Sequence, residues 1–309
     1  MRFIISTLGV LLFIITTSNV SKAQDSTDVA TPKLWKHEGK FGLNFSNVGL
    51  VNWAGGGESS YSFGGIQTYK GVRETDKAIT RIYTDLAYGL INQSNSTFPM
   101  KKTDDRLNLG ADYSYKLNKK FLVTASGDFR TQFDKGYEYK TEEINGVKIE
   151  TENQISAFFA PAYLNLNIGL TYTPKDYLFL TLSPIANRMT FVTDTVFSEK
   201  YGLEPQQTFR DQSGVNIKFG FDKEVVKNVT LKTTYNMFAE YTRMDEWIVN
   251  WDFLIDMKVN KYLSCNFSTQ LIYDPDVTVD RNDGTTGQAV QFKHALNIGV
   301  VYSFATSDK

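Results

Sequence analysis

The stretch WIVNWDFLIDMKV, from Trp247 to Val259, alternates residue by residue. Its odd positions are Trp247, Val249, Trp251, Phe253, Ile255, Met257 and Val259. Its even positions include Asn250, Asp252, Asp256 and Lys258. One face is apolar and the other mostly polar, which is the period of a β-strand wetted on one side only. The next segment repeats the rule, with Leu263, Cys265, Phe267, Leu271 and Tyr273 against Ser264, Asn266, Ser268 and Gln270. The last does so again, with Leu296, Ile298, Val300, Tyr302 and Phe304 against Lys293, Asn297 and Ser303.

Earlier segments carry the same signature at Leu107–Tyr115, Phe121–Phe129, Leu164–Tyr172, Val215–Phe221 and Val229–Met237. Less regular strands fall near 40–52, 58–73, 77–92 and 176–193. The segment 176–193 is apolar on both faces around Tyr177 to Leu182, and neither it nor 58–73 can be phased. The total is twelve. A soluble β-sandwich also alternates, so the connections discriminate. Short turns centre on Thr75-Asp76, Leu117-Asn118, Pro174-Lys175, Val226-Lys227 and Asn260-Lys261. Long polar loops follow most odd-numbered strands, at 92–103, 134–155, 194–211 and 274–291. Short connections at one end and long ones at the other are expected of a transmembrane antiparallel meander β-barrel of the all-β class.

Composition agrees. Aromatic residues make up 14% of the chain, and Pro is scarce at 7 residues against 22 Gly. After the N-terminus no run is long and apolar enough for a membrane helix, which needs about 20 residues. The outward phase places Tyr88, Tyr241, Trp247 and Tyr273 at one boundary and Tyr115, Tyr172, Tyr302 and Phe304 at the other, as interfacial girdles require. At the N-terminus Arg2, the apolar stretch Phe3–Thr17 and Ser21-Lys22-Ala23 read as a secretory signal peptide. The expected organisation is a signal peptide over 1–23, a periplasmic segment over 24–39, a barrel over 40–304 and a tail over 305–309.

Several functions are disfavoured. A net charge of -1 gives no reason to expect nucleic acid as a partner. Cys265 is the single cysteine, so no internal disulfide can form, and His37 and His294 are too few for a His-rich metal site. Trp53-Ala54-Gly55-Gly56-Gly57 lacks the Gly-Lys-Ser/Thr ending of a phosphate loop and reads as a turn between the first two strands. Asp274-Pro275-Asp276 with Asp280, Asp283 and Gly284 does not have EF-hand spacing and reads as a solvated acidic loop. His294 faces outward, but no Ser accompanies it, which argues against a lipid hydrolase on the wall. No cofactor and no catalytic residue is expected.

The inward phase is more informative. It holds Arg81, Asp85, Arg106, Asp112, Lys116, Asp128, Arg130, Lys218, Asp222, Lys232, Glu240, Asp252, Asp256 and Lys258, with the two signs equal in number. Balanced charge is expected to pair and fill the lumen rather than steer one ion. In particular, turns centred on Lys227 and Met244 would set Asp222 and Asp256 on either side of Lys232, a carboxylate–ammonium–carboxylate cluster that narrows the path.

Trp53-Ala54-Gly55-Gly56, Lys102-Thr103-Asp104-Asp105, Gln132-Phe133-Asp134-Lys135-Gly136-Tyr137, Pro161-Ala162-Tyr163 and Asn260-Lys261-Tyr262 stand in that order. In them the chain resembles, over nearly all of its expected mature length, an outer-membrane barrel family of Bacteroidota-type bacteria catalogued as domain of unknown function 3078. The resemblance implies an outer-membrane location and supplies no activity. Three functions stay open: a narrow solute channel or transporter, a structural or partner barrel of a larger envelope complex, and a lipid-modifying enzyme. Outer-membrane lipid is the expected surrounding; the solute is not legible.

Overall fold

The computed structural model describes residues 35–48, 59–94, 96–144, 147–281 and 285–306. The expected signal peptide and the Trp53–Gly57 turn lie outside them. The strands are β1 (Lys36–Val48), β2 (Ser60–Glu74), β3 (Ala78–Gln93), β4 (Met100–Lys116), β5 (Phe121–Thr131), β6 (Gly136–Ile144), β7 (Val147–Ser156), β8 (Ala162–Lys175) and β9 (Leu178–Phe191). They continue as β10 (Phe209–Val226), β11 (Val229–Glu240), β12 (Trp247–Lys258), β13 (Leu263–Tyr273), β14 (Val279–Asp280), β15 (Thr286–Gly287) and β16 (Gln291–Ala305).

Twelve of these close into one antiparallel barrel in the order β1-β16-β13-β12-β11-β10-β9-β8-β5-β4-β3-β2. Each barrel strand pairs with the barrel strands before and after it in the chain, and β1 meets β16 with Phe41 opposite Tyr302. This is the expected meander. Closure leaves no strand edge unpaired, which is what hydrocarbon demands of a sheet. The shortest barrel strand has 11 residues, enough to cross at a tilt.

Faces follow the alternation. Leu43, Ile298 and Leu296 are 73%, 66% and 66% exposed on the outside of the barrel. An apolar wall of this extent would aggregate in water and is stable in lipid, so the barrel is transmembrane. Phe253 shares a face with Trp251, and Cys265 stands between Met257 and Ile298 on that outer wall. Asp256 and Ser264, of opposite parity, are buried inside.

The two strands that resist phasing have physical reasons. In β9, Leu180 and Leu182 face out, then Ile185 does. A bulge at Pro184 intervenes, seen where Asn216 pairs with Ser183 but Gly214 with Ala186. Proline cannot donate to the ladder, and the extra residue inverts the parity of everything after it. In β2 the outer wall carries Gln67, whose amide is satisfied by Thr84 on β3 at 2.9 Å. That bond makes a polar residue tolerable against lipid.

The short-turn end matches expectation except at two connections. Between β8 and β9, Pro174 and Lys175 end a strand and the turn is Asp176-Tyr177; between β10 and β11, Val226 ends a strand and the turn is Lys227-Asn228. The long-loop end is more ordered than its polarity suggests. The expected loop 134–155 holds the hairpin β6–β7, paired from Gly136–Ser156 to Ile144–Val147. The loop after β9 forms two 3-10 turns, Thr195–Phe197 and Glu199–Tyr201. These bury Phe197 and Leu203 against Ala160 and Val192.

Candidate functional site

Inward charges meet as the strand register dictates. Arg81 stands opposite Asp112 and binds it at 2.9 Å. Arg106 reaches Asp85 at 3.3 Å. Asp222 stands opposite Lys232, and the two pair at 3.1 Å. Asp252 accepts from Gln270 at 2.9 Å.

The expected trio does not form. Lys232 stands opposite Leu254, while Asp256 stands opposite Thr230 and pairs with Lys40 instead. The reason is register: Ala239 opposes Trp247, which centres the β11–β12 loop on Arg243 rather than Met244. That offset moves Asp256 two residues along the strand. Lys232 and Asp222 are both nearly half exposed, whereas the Asp256 carboxylate is 7% exposed.

Several contacts join strands that are not neighbours in the sheet. Lys40 of β1 meets Asp256 of β12. Lys218 of β10 meets Asp128 of β5 at 3.6 Å, and Asp128 also accepts from Tyr83. Arg130 of β5 donates to Asn250 of β12 at 3.2 Å. Tyr83 can lean over its neighbour because Gly110 stands opposite; a Cβ there would lie 2.1 Å from the Tyr83 Cζ. On one wall Ser114, Thr124, Thr171 and Thr181 form a ladder of hydroxyls at 2.8–2.9 Å. Each hydroxyl can donate once and accept once, so the ladder leaves few unpaired groups in a crowded interior.

Above these ties, at the long-loop end, lies a polar cavity of about 430 Å³. Its lining includes the cations Lys102, Arg106, Arg130, Arg188 and Lys293 and the carboxylates Asp104, Asp105 and Asp274. Lys102 pairs with Asp105 at 2.6 Å, Lys293 with Asp104 at 2.8 Å and Arg188 with Asp274 at 2.6 Å. Arg130 has no carboxylate partner among the described residues. Its guanidinium carbon lies 5.7 Å from the centre of the Tyr163 ring, and that of Arg188 lies 4.7 Å from it. Register explains the convergence: Arg130 opposes Tyr163, and Arg188 lies diagonally beyond on β9.

Loops wall this cavity. Tyr201 donates to the carbonyl of Ile155 at 2.9 Å, fastening the 3-10 segment to β7. Asp276 accepts from Arg243 at 2.8 Å and lies 3.1 Å from Arg210. Burial opposes its charge, but those two cations hold its carboxyl below the usual range. The hairpin is pinned separately. Hydrogen bonds from Lys101 and Ser96 bring Glu150 down to about 2, and one from Lys140 brings Asp280 down to about 2. So Asp274, Asp276 and Asp280 each face a cation, and they do not converge as a calcium site would. Asp283 and Gly284 lie outside the described residues. His294 faces out, opposite Thr269 and 5.9 Å from the Phe292 ring.

Sequence reasoning missed Lys40, Arg188 and Asp274 as inward groups. Lys40 sits on a strand of uneven pattern, and Arg188 lies past the Pro184 bulge that hides its parity.

A family model described as a protein of unknown function (DUF3078) matches residues 45–137. The match takes in Trp53–Gly56, Lys102–Asp105 and Gln132–Tyr137; Pro161–Tyr163 and Asn260–Tyr262 fall beyond it. No curated protein matches the chain. Among solved structures, an outer-membrane channel from Pseudomonas putida F1 aligns with 11% identity and a TM-score of 0.39, covering 92% of this chain and 100% of that one. The translocator domain of autotransporter NalP from Neisseria meningitidis aligns with 10% identity and a TM-score of 0.35, covering 90% of each.

Proposed function

We propose that this chain is a narrow solute channel of the outer membrane, exported through the secretory pathway, with its long loops outside and its short turns in the periplasm. The supporting observation is the polar cavity among the long loops, set over a lumen crossed by ion pairs. A chamber lined by charge concentrates small polar solutes, and the ties below it limit the width of what passes. Proteoliposomes carrying the full chain should admit glycine slowly and exclude a trisaccharide. Uptake of both at equal rates would contradict the reading.

The cross-lumen ties also favour a second reading, a closed barrel that serves as a partner in an envelope complex. It requires that no solute pass in any variant and that other envelope proteins remain bound through gentle extraction. We propose no enzymatic activity.

A further inference from the structure

We propose that the chamber at the long-loop end is a binding site for a small organic carboxylate, held by Arg130 and Arg188 beside the Tyr163 ring. Arg130 brings the first argument. Among the described residues it is the cation of the lining whose charge no carboxylate balances, and it donates a hydrogen bond to a neutral amide, Asn250. Arg188 brings the second. Its side chain is 7% exposed and its Nη2 holds Asp274, yet its Nη1 is buried without any partner. A buried guanidinium nitrogen without an acceptor is uncommon in a settled interior and marks a place where an acceptor belongs.

Both groups gather around one aromatic ring. Guanidinium groups present planar forks that suit a carboxylate, and the Tyr163 ring, over which both lie, holds the two forks side by side. Charge limits the ligand. The three carboxylates of the lining are already matched and Arg106 is balanced by Asp85 outside it, so one net positive charge remains at Arg130, and a monoanion balances it. Inorganic phosphate, closer to a dianion, would press against Asp274. This inference deepens the channel reading by naming its solute class, but binding does not depend on passage.

The test uses the full chain in detergent and isothermal calorimetry with D-glucuronate, D-glucose and inorganic phosphate. Glucuronate should bind, glucose should not, and phosphate should bind more weakly than glucuronate. Arg130→Gln should weaken glucuronate at least tenfold, and Arg130→Lys should weaken it less. Lys232→Gln, which removes a cation outside the chamber's lining, should leave it unchanged; circular dichroism verifies that each variant keeps its barrel. Glucuronate binding no better than glucose would overturn the proposal. So would tighter binding of phosphate, or equal losses from Arg130→Gln and Lys232→Gln. A barrel that binds glucuronate but passes no solute would contradict the channel reading and leave this one standing.

Discussion

Phe253 and Lys40 show how one residue's parity sets its role. Phe253 lies on the outer wall two residues from Trp251, whose indole donates to Thr233 at 2.8 Å. Phe253→Arg should destabilise the barrel by about 2–4 kcal/mol if it lies near the bilayer midplane. Urea titration in lipid vesicles would measure this, and a neutral result would place Phe253 away from hydrocarbon. Lys40 has the opposite parity and meets Asp256 across the lumen. Lys40→Ala leaves a carboxylate that is 7% exposed without its cation. Its cost should be about 1–3 kcal/mol, below that of a fully buried pair because Lys40 keeps contact with water. The same titration checks it, against Lys232→Ala, whose half-exposed pair should cost under about 1 kcal/mol.

At the scale of elements, the hairpin β6–β7 makes a pH-dependent prediction. Glu150 ties it to Ser96, Thr97 and Lys101, and Lys140 ties it to Asp280. Both carboxyls are depressed in the folded state to about 2. The stabilisation is therefore full above the ordinary carboxylate range and is lost as pH falls through about 2. Hydrogen exchange over Val147–Ser156 should be steady from pH 7 to 5, after correction for intrinsic rates, and protection should fall between about 4 and 2. Protection that fails already at pH 6 would assign the tether to other groups.

The strands themselves were legible because lipid enforces period two: a slip of one residue would turn Trp251 and Phe253 inward and Asp252 and Asp256 into hydrocarbon. Asp222 opposite Lys232 was legible for the same reason, since the turn at Lys227-Asn228 is too short to admit another register. The partner of Asp256 was not. Loop length fixes register only when the loop is tight, and the residues between Glu240 and Trp247 admit a shift of two without changing any face. Cross-lumen partners such as Lys40 with Asp256 depend on how the barrel closes, and nothing local in either strand encodes that. The hairpin within 134–155 escaped because its apolar positions do not share a face: Tyr137 and Tyr139 of β6 pair with Gln154 and Glu152, while Ile149 of β7 pairs with Glu142, so neither face is apolar.

At the scale of the whole molecule, the wall and the lumen follow different rules. The wall is apolar and continuous, as lipid demands. The lumen is drawn together by pairs between strands remote in the chain, and it widens into a charged chamber where the long loops meet. Single-channel recording in planar bilayers tests this arrangement most directly. The wild-type barrel should show small, infrequently opening steps well below those of an open porin, and Lys40→Ala should raise the conductance about two-fold or more by removing a tie across the lumen. A large, steady wild-type conductance that Lys40→Ala leaves unchanged would contradict it.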